Sequence, residues 1–359
     1  LKTDLSTPHS TYPSGYQIGI GVMTGTSLDG VDLALCEFID QSFKILAFDC
    51  LEFPEDLKHD LRTVHLSQSL DYFRIENEFS RFLATAIKQF YESNGRKAQF
   101  LGIHGQTVFH QPDIVITTQM LDGGLVAALT GLSTVCDFRR ADIALGGQGA
   151  PLVPIGDRDL FADYEACLNL GGFANVSMSR QDERIAYDIC PVNFVLNHLA
   201  KNEGLDYDDR GEMAASGELN TPLLEKLNAL DFYKIKYGKS LGREWVEKEI
   251  FPLLSEIENK SALRTFTTHA AHQIARNLPS KGRVLVTGGG AYNEFLLNEI
   301  SRFQPQLKLS IPDKILLEGK EALIFAYLAK LRLEGKINVL ASATGAIRDS
   351  SSGAIYFPV

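Results

Sequence analysis

Three glycine clusters set among hydroxyls and acids stand out as chemistry-bearing: "TGTSLDGVD" at Thr24–Asp32, "NLGGFANVS" at Asn169–Ser177 and "TGGGAYN" at Thr287–Asn293. Glycines let backbone N–H groups converge, and Thr26 and Ser27 add hydroxyl donors, so the first loop can form a concavity for an anion such as phosphate. Asp29-Gly30 is also a common hairpin signal, and on its own this loop reads equally as a plain turn. Together the three loops supply the parts of an ATP clamp. One takes the terminal phosphates, Gly171 and Gly172 face it from a second lobe, and Gly288, Gly289 and Gly290 turn from a strand into a helix beside the adenosine.

Other polar groups suit a sugar. "GIHGQTVFHQP" places His104 and Gln106 at the end of an apolar strand, and "CDFRRADIALGGQGAPLVP" strings Asp137, Arg139 and Gln148 through a glycine-rich segment. Loops after strands carry sites more often than cores do. A histidine at a strand end and an Asp-Phe-Arg ion pair also serve as scaffold, and both readings stay open here. In "RIAYDICPVNF", Asp188 ends a short strand before a helix opened by Pro191. A carboxylate so placed can act as a general base. It can equally cap the helix.

The elements that position these groups follow from periodicity. "QIGIGVM" and "VDLALCEF" flank the first cluster as two strands, and because period two resumes after the glycines, a P-loop or dinucleotide fingerprint, which needs a helix there, is disfavoured. Cys167–Leu170 and Val176–Met178 form a second hairpin of the same kind. "RVLV" is a buried strand before the third cluster, with an amphipathic helix after it. "SLDYFRIENEFSRFLATAIKQFYESNG" is a helix feeding the strand "AQFLGIHG", and "TTHAAHQIARNL" and "GKEALIFAYLAKLRLEG" are further helices. Strands alternating with helices argue the α/β class. One glycine hairpin per half suggests a duplicated two-lobe architecture with a nucleotide between the lobes.

Composition narrows the function classes. The chain has 359 residues, 45% hydrophobic and 22% charged, which suits two globular lobes. A net charge of −10 and a pI near 5.4 give no basic surface for nucleic acid or an anionic membrane. Five widely spaced cysteines without a CxxC suggest neither a disulfide framework nor a zinc site, and point to a reducing cytoplasm. The polar first residues read as a loose leader, and no apolar run reaches membrane-spanning length.

The set "GVMTGTSLDGVDLAL", "HGQTVFHQP", "DFRRADIALGGQGAPLVP", "NLGGFANVS", "DRGEMAASG", "TGGGAYN" and a late "TGA" closely resembles the anhydro-N-acetylmuramic acid kinases, from about Gln17 to the last few residues. These form a branch of the actin and hexokinase superfamily. The resemblance implies a duplicated, ribonuclease H-like α/β fold with an ATP cleft, the lobes being residues 1–137 with 344–359 and residues 138–343. It implies a cytoplasmic bacterial enzyme of cell-wall recycling, a homodimer, that uses ATP and Mg2+. The anhydro ring of a small amino sugar is opened with water and its 6-oxygen phosphorylated. Gly25, Thr26, Ser27, Leu28, Asp29, Gly30, Val31 and Asp32 become the phosphate loop. Asp188 falls on the base that activates water, and His104, Gln106, Asp137, Arg139, Gln148 and Glu321 lie on the sugar side.

Departures from the family pattern bear on the site. "DICPVN" replaces the usual "DTGPGN", keeping Asp188, Pro191 and Asn193 but putting Val192, which disfavours a positive φ, where a glycine is usual. "KSLGRE" replaces "KSTGRE". The acid that superfamily relatives carry near Met23 is missing, so the sequence assigns no metal ligand. With Asp188 retained, the reading is an active kinase. A pseudokinase and an actin-like nucleotide-driven binding protein are the alternatives.

Overall fold

Alternating apolar residues build the sheets, because successive side chains of a strand point to opposite faces. The computed structural model describes residues 16–25, 28, 30–40, 42–235 and 237–358. In chain order the strands are β1 (Tyr16–Thr24), β2 (Val31–Ile39), β3 (Ser42–Leu51), β4 (Phe100–Ile103), β5 (Gln106–Gln111), β6 (Ile116–Met120) and β7 (Ser133–Cys136). Then come β8 (Ala166–Leu170), β9 (Phe173–Arg180), β10 (Glu183–Pro191), β11 (Gly282–Thr287), β12 (Leu307–Ser310) and β13 (Ala354–Tyr356).

Two sheets result, ordered β13-β7-β4-β1-β2-β3 and β10-β9-β8-β11-β12, beside the separate β5–β6 hairpin. In the first, β1, β2 and β3 form an antiparallel meander while β4 and β7 join β1 in parallel. In the second, β8, β9 and β10 form the meander while β11 and β12 join β8 in parallel. The same order, three antiparallel strands followed by two parallel ones on the other side of the first, thus occurs twice. This is the duplicated ribonuclease H-like α/β arrangement expected of the actin and hexokinase superfamily.

The chain divides into two compact units, Leu1–Leu160 with Gly319–Val359, and Phe161–Glu318. Residues 138–160 and 319–343 therefore belong with the first unit rather than with the 138–343 lobe expected from the sequence. Their packing gives the reason. Arg139 Nη2 meets His104 Nε2 at 2.8 Å, and Phe325 meets His104 with ring centroids 4.9 Å apart.

Glycine governs how the first unit closes. The helix Lys314–Leu333 lies so near the sheet that a Cβ on Gly21 of β1 would run into the Ala322 carbonyl, and one on Gly102 of β4 into that of Phe325. Ala322, Ala326 and Ala329, all fully buried, keep the helix side of this seam equally thin. The second unit is organised around the helix Asn259–Asn277, whose residues Ala262, Phe266, Ala270 and Ile274 are wholly buried in an apolar cluster with Val284, Val286 and Leu168. Among the described residues no helix is long and apolar enough to cross a membrane.

Candidate active site

The first glycine cluster joins β1 to β2 as expected, and Thr26, Ser27 and Asp29 lie outside the described residues. Leu28 is buried with a left-handed φ of 57°, its N–H donating to the Gly25 carbonyl at 3.2 Å. A Cβ on Gly30 would lie 2.8 Å from Cys50 Sγ and 2.9 Å from the Leu51 carbonyl, so β3 packs directly against this end of the loop. Val31 opens β2 in the core, and Asp32 pairs with Met23 in the ladder. The glycine seam brings Glu321 close to Asp32. Burial first, and then the nearby Asp32 charge, push the Glu321 carboxyl above its usual range, while Lys320 and Arg139 pull it back.

His104 and Arg139 meet in the same unit. Arg139 Nη2 donates to His104 Nε2 at 2.8 Å and Nη1 to the Gly149 carbonyl at 2.7 Å. Arginine has no acceptor, so the imidazole proton resides on Nδ1, which faces backbone oxygens of Gly105 and Thr24 without a well-formed bond. Burial, reinforced by the Arg139 charge, lowers the ring's pKa to about 3. Imidazole NMR should therefore find His104 neutral from pH 8 down to about pH 5, with His104→Gln assigning the signal. A ring that titrates in that interval would contradict the buried pair.

Gln106 begins β5, buried, and among the described residues neither its Oε1 nor Arg139 Nε has a hydrogen-bond partner. Buried polar atoms are ordinarily satisfied, so unpaired ones here suit a polar ligand. Asp137 leaves β7 with a left-handed φ of 57° and forms an ion pair with Arg140 at 3.4 Å. Gln148 is exposed, and its backbone N–H donates to Thr344 at 2.8 Å. The glycine-rich loop around it is organised by Asp142, which accepts from Gly149 N–H at 2.8 Å and from Thr344 Oγ1 at 2.7 Å. Asp142 is scaffold, whereas Arg139, His104 and Gln106 present unsatisfied groups.

In the second unit β10 runs on past Asp188 to Pro191, which pairs with Phe173, and the helix starts only at Asn193. The sequence expectation that Asp188 ends the strand and Pro191 opens the helix is corrected. The ladder register shifts between Asp188 and Cys190, a bulge that re-aims the strand beside the carboxylate. Among the described residues the helix Asn193–Lys201 has no side-chain cap, and Asp188 caps no helix. Its Oδ2 accepts from Leu241 N–H at 2.9 Å and from Ser240 Oγ at 3.4 Å, and its own N–H donates to the Lys239 carbonyl at 3.0 Å. Burial raises its pKa, and the two donors partly oppose that rise. The "KSLG" turn was the signal that residue-by-residue reading passed over. It sits some fifty residues downstream, and only pairing with β10 brings it here.

Gly171 and Gly172 turn β8 into β9, and their carbonyls accept from the N–H groups of Asn193 at 3.2 Å and Val192 at 2.8 Å. Val192 adopts φ −133°, so the residue standing for the family's glycine needs no left-handed backbone. Gly288 has φ 82°, and a Cβ there would lie 2.6 Å from Asn169 Oδ1 and 2.8 Å from the Leu170 backbone. A Cβ on Gly290 would lie 2.7 Å from Leu170 Cβ. The second and third glycine clusters are thus packed together. After Gly288 a short 3-10 turn, Gly289–Tyr292, precedes the helix Glu294–Phe303, which Asn293 caps. A cavity of about 780 Å3 opens beside them, lined by Asn193, Asn197, Asp208, Gly289, Gly290 and Tyr292 among others. It is large enough for a nucleoside.

The chain is similar to known proteins over nearly its whole length. The family model for anhydro-N-acetylmuramic acid kinase matches residues 17–358. The anhydro-N-acetylmuramic acid kinase of Vibrio cholerae is 34% identical over 367 residues, covering 95% of this chain and 99% of the relative. That of Pseudomonas savastanoi is 36% identical over 361 residues, covering 94% and 98%. Among solved structures, the activator of the 2-hydroxyisocaproyl-CoA dehydratase from Clostridium difficile with bound ADPNP aligns with a TM-score of 0.46 at 12% identity, over 89% of this chain and 96% of that one. Matched by the family model over nearly its whole length, and by relatives over nearly theirs, the chain belongs to the anhydro-N-acetylmuramic acid kinase family.

Proposed function

We propose that this chain uses ATP and water to open the 1,6-anhydro ring of anhydro-N-acetylmuramic acid and phosphorylate its 6-oxygen, giving N-acetylmuramic acid 6-phosphate in peptidoglycan recycling. The observation that carries this reading is Asp188, a part-buried carboxylate held by two donors on one oxygen and raised in basicity by burial. Such a group suits proton removal from a water that attacks the anomeric carbon, a role that contributes roughly 10² to 10⁴ in rate. His104 and Arg139 form a neutral-ring and cation pair suited to orienting sugar oxygens, with Gln106 supplying an unpaired acceptor. Asp137, Gln148 and Glu321 are assigned to the same sugar side.

ATP would be held by Gly25 to Asp32 at its phosphates, by Gly171 and Gly172, and by Gly288, Gly289 and Gly290 beside the nucleoside-sized cavity. At Gly30, Gly288 and Gly290 a side chain would run into neighbouring protein atoms, so these close-packed loops keep their shape only with glycine. Magnesium, when bound, supplies charge neutralisation on the phosphates. Among the described residues no group of three or more histidine, cysteine or carboxylate side chains could hold a metal ion, so no ligand for it is assigned. The same reading makes the chain a cytoplasmic homodimer.

ATP consumption measured with and without the anhydro sugar tests the proposal. Sugar-dependent turnover is expected, and in heavy-oxygen water the label should appear at the anomeric carbon of the 6-phosphate. Sugar-independent turnover would instead support a nucleotide-driven binding protein, and absence of turnover a pseudokinase.

A further inference from the structure

The turn that grips Asp188 is itself anchored by a buried cation. Lys239 is 6% exposed, and among the described residues its ammonium has no carboxylate partner. It rests instead on aromatic faces, with Nζ 4.4 Å from the Phe232 ring centroid and 5.7 Å from that of Tyr233. Trp245 packs behind both rings, 5.1 Å from Phe232 and 6.1 Å from Tyr233. A desolvated ammonium on such faces is held in place by the ring quadrupole rather than by an ion pair. The backbone on either side of this side chain does the gripping. The Lys239 carbonyl accepts from Asp188 N–H, and the next two residues supply Ser240 Oγ and Leu241 N–H to the carboxylate.

We propose that Lys239 is a positioning residue: seated on Phe232 and Tyr233, it locks residues 239–241 against β10, and that turn fixes the orientation of the Asp188 carboxylate. The inference rests on Asp188 being the base that activates water. Lys239 makes no contact with substrate in this account. It acts through Ser240 and Leu241, whose bonds must persist where the ladder shifts register just beyond Asp188. Other titratable groups around the turn are Cys190 on the same strand, Tyr233 below the ammonium and Arg276 of the helix Asn259–Asn277. Cys190 and Tyr233 are buried and pushed upward by desolvation, so neither competes for a proton in the working range.

The test compares Lys239→Ala, Lys239→Met, Lys239→Arg and Asp188→Asn in the full chain, following kcat, KM for ATP and the pH profile of kcat with the anhydro sugar. Lys239→Ala is expected to lower kcat about 30-fold, as for a misplaced catalytic group, with KM for ATP changed less than about threefold. Its acid limb should move to higher pH, because a carboxylate that loses N–H and O–H donors is easier to protonate. Lys239→Met keeps the stem on the rings but loses the charge, and should shift the limb the same way with a loss of about fivefold in kcat. It carries the test if the alanine variant does not fold. Lys239→Arg, which also stacks on aromatic rings, should restore the limb to its original position. Folded Lys239→Ala or Lys239→Met with unchanged kcat, or with lowered kcat and an unmoved acid limb, would overturn the positioning role while leaving Asp188 as base. Near-normal turnover of Asp188→Asn would overturn both.

Discussion

Asp188→Asn is expected to lower sugar-dependent turnover by about 10²-fold or more while leaving ATP affinity nearly unchanged. The amide is nearly isosteric, and its oxygen can still accept from Leu241 N–H and Ser240 Oγ, so the turn and β10 should keep their shape. What the variant loses is the capacity to take a proton. Because burial raises the Asp188 pKa, the wild-type profile should also lose activity on the acid side at a pH above that of an ordinary aspartate. The sign follows from the role, since a base works only when deprotonated. A calorimetric titration with ATP beside the coupled assay separates binding from chemistry. Comparable turnover in the two proteins would remove Asp188 from the mechanism.

Much of the local fold around these loops is legible in the sequence, for reasons that differ between its parts. Period-two alternation on both sides of Gly25–Gly30 and of Gly171–Gly172 announced hairpins, and hairpins are what β1–β2 and β8–β9 are. Local pattern suffices there because the interacting strands are neighbours in sequence. The partners of Asp188 were not readable in the same way. Ser240 and Leu241 lie 52 and 53 residues away, and nothing in "KSLG" marks it as the donor to a distant carboxylate. Pro191 misled for a simpler reason: it can open a helix or end an edge strand, and here it does the latter at the outer strand of its sheet. The lobe boundary was misplaced because Arg139 and Phe325 are joined to His104 by tertiary contact alone.

Gly21→Ala should be the most damaging single methyl in the first unit. The added carbon would meet the Ala322 carbonyl, and backbone cannot swing aside as a flexible side chain can. Either the helix Lys314–Leu333 lifts from β1 or the strand bends, and overpacking of this kind costs about 3 kcal/mol. Lifting the helix would also carry Glu321 away from Asp32, so residual folded protein should show weakened sugar-dependent turnover. Urea unfolding provides the measurement, with Gly124→Ala as the comparison. That glycine lies in the helix Gly123–Thr130, where a Cβ finds its nearest neighbour at 3.4 Å and the substitution should be neutral or mildly stabilising. Equal midpoints for the two variants would mean that the seam relaxes freely.

The division of the chain has a consequence for its biogenesis. Phe161–Glu318 is one uninterrupted stretch, whereas the other unit is finished only when Gly319–Val359 arrives. During synthesis the second unit can therefore complete its core while the first still lacks the helix that covers Gly21 and Gly102, and the strand β13 that closes the edge of β7. Domains tend to fold as units as they emerge. A half-built first unit with a bare sheet face and an open strand edge is the species that a translating ribosome would expose longest, and open edges invite pairing between nascent chains. The glycines that give the finished enzyme its thinnest packing thus wait, uncovered, for the last part of the message to be read.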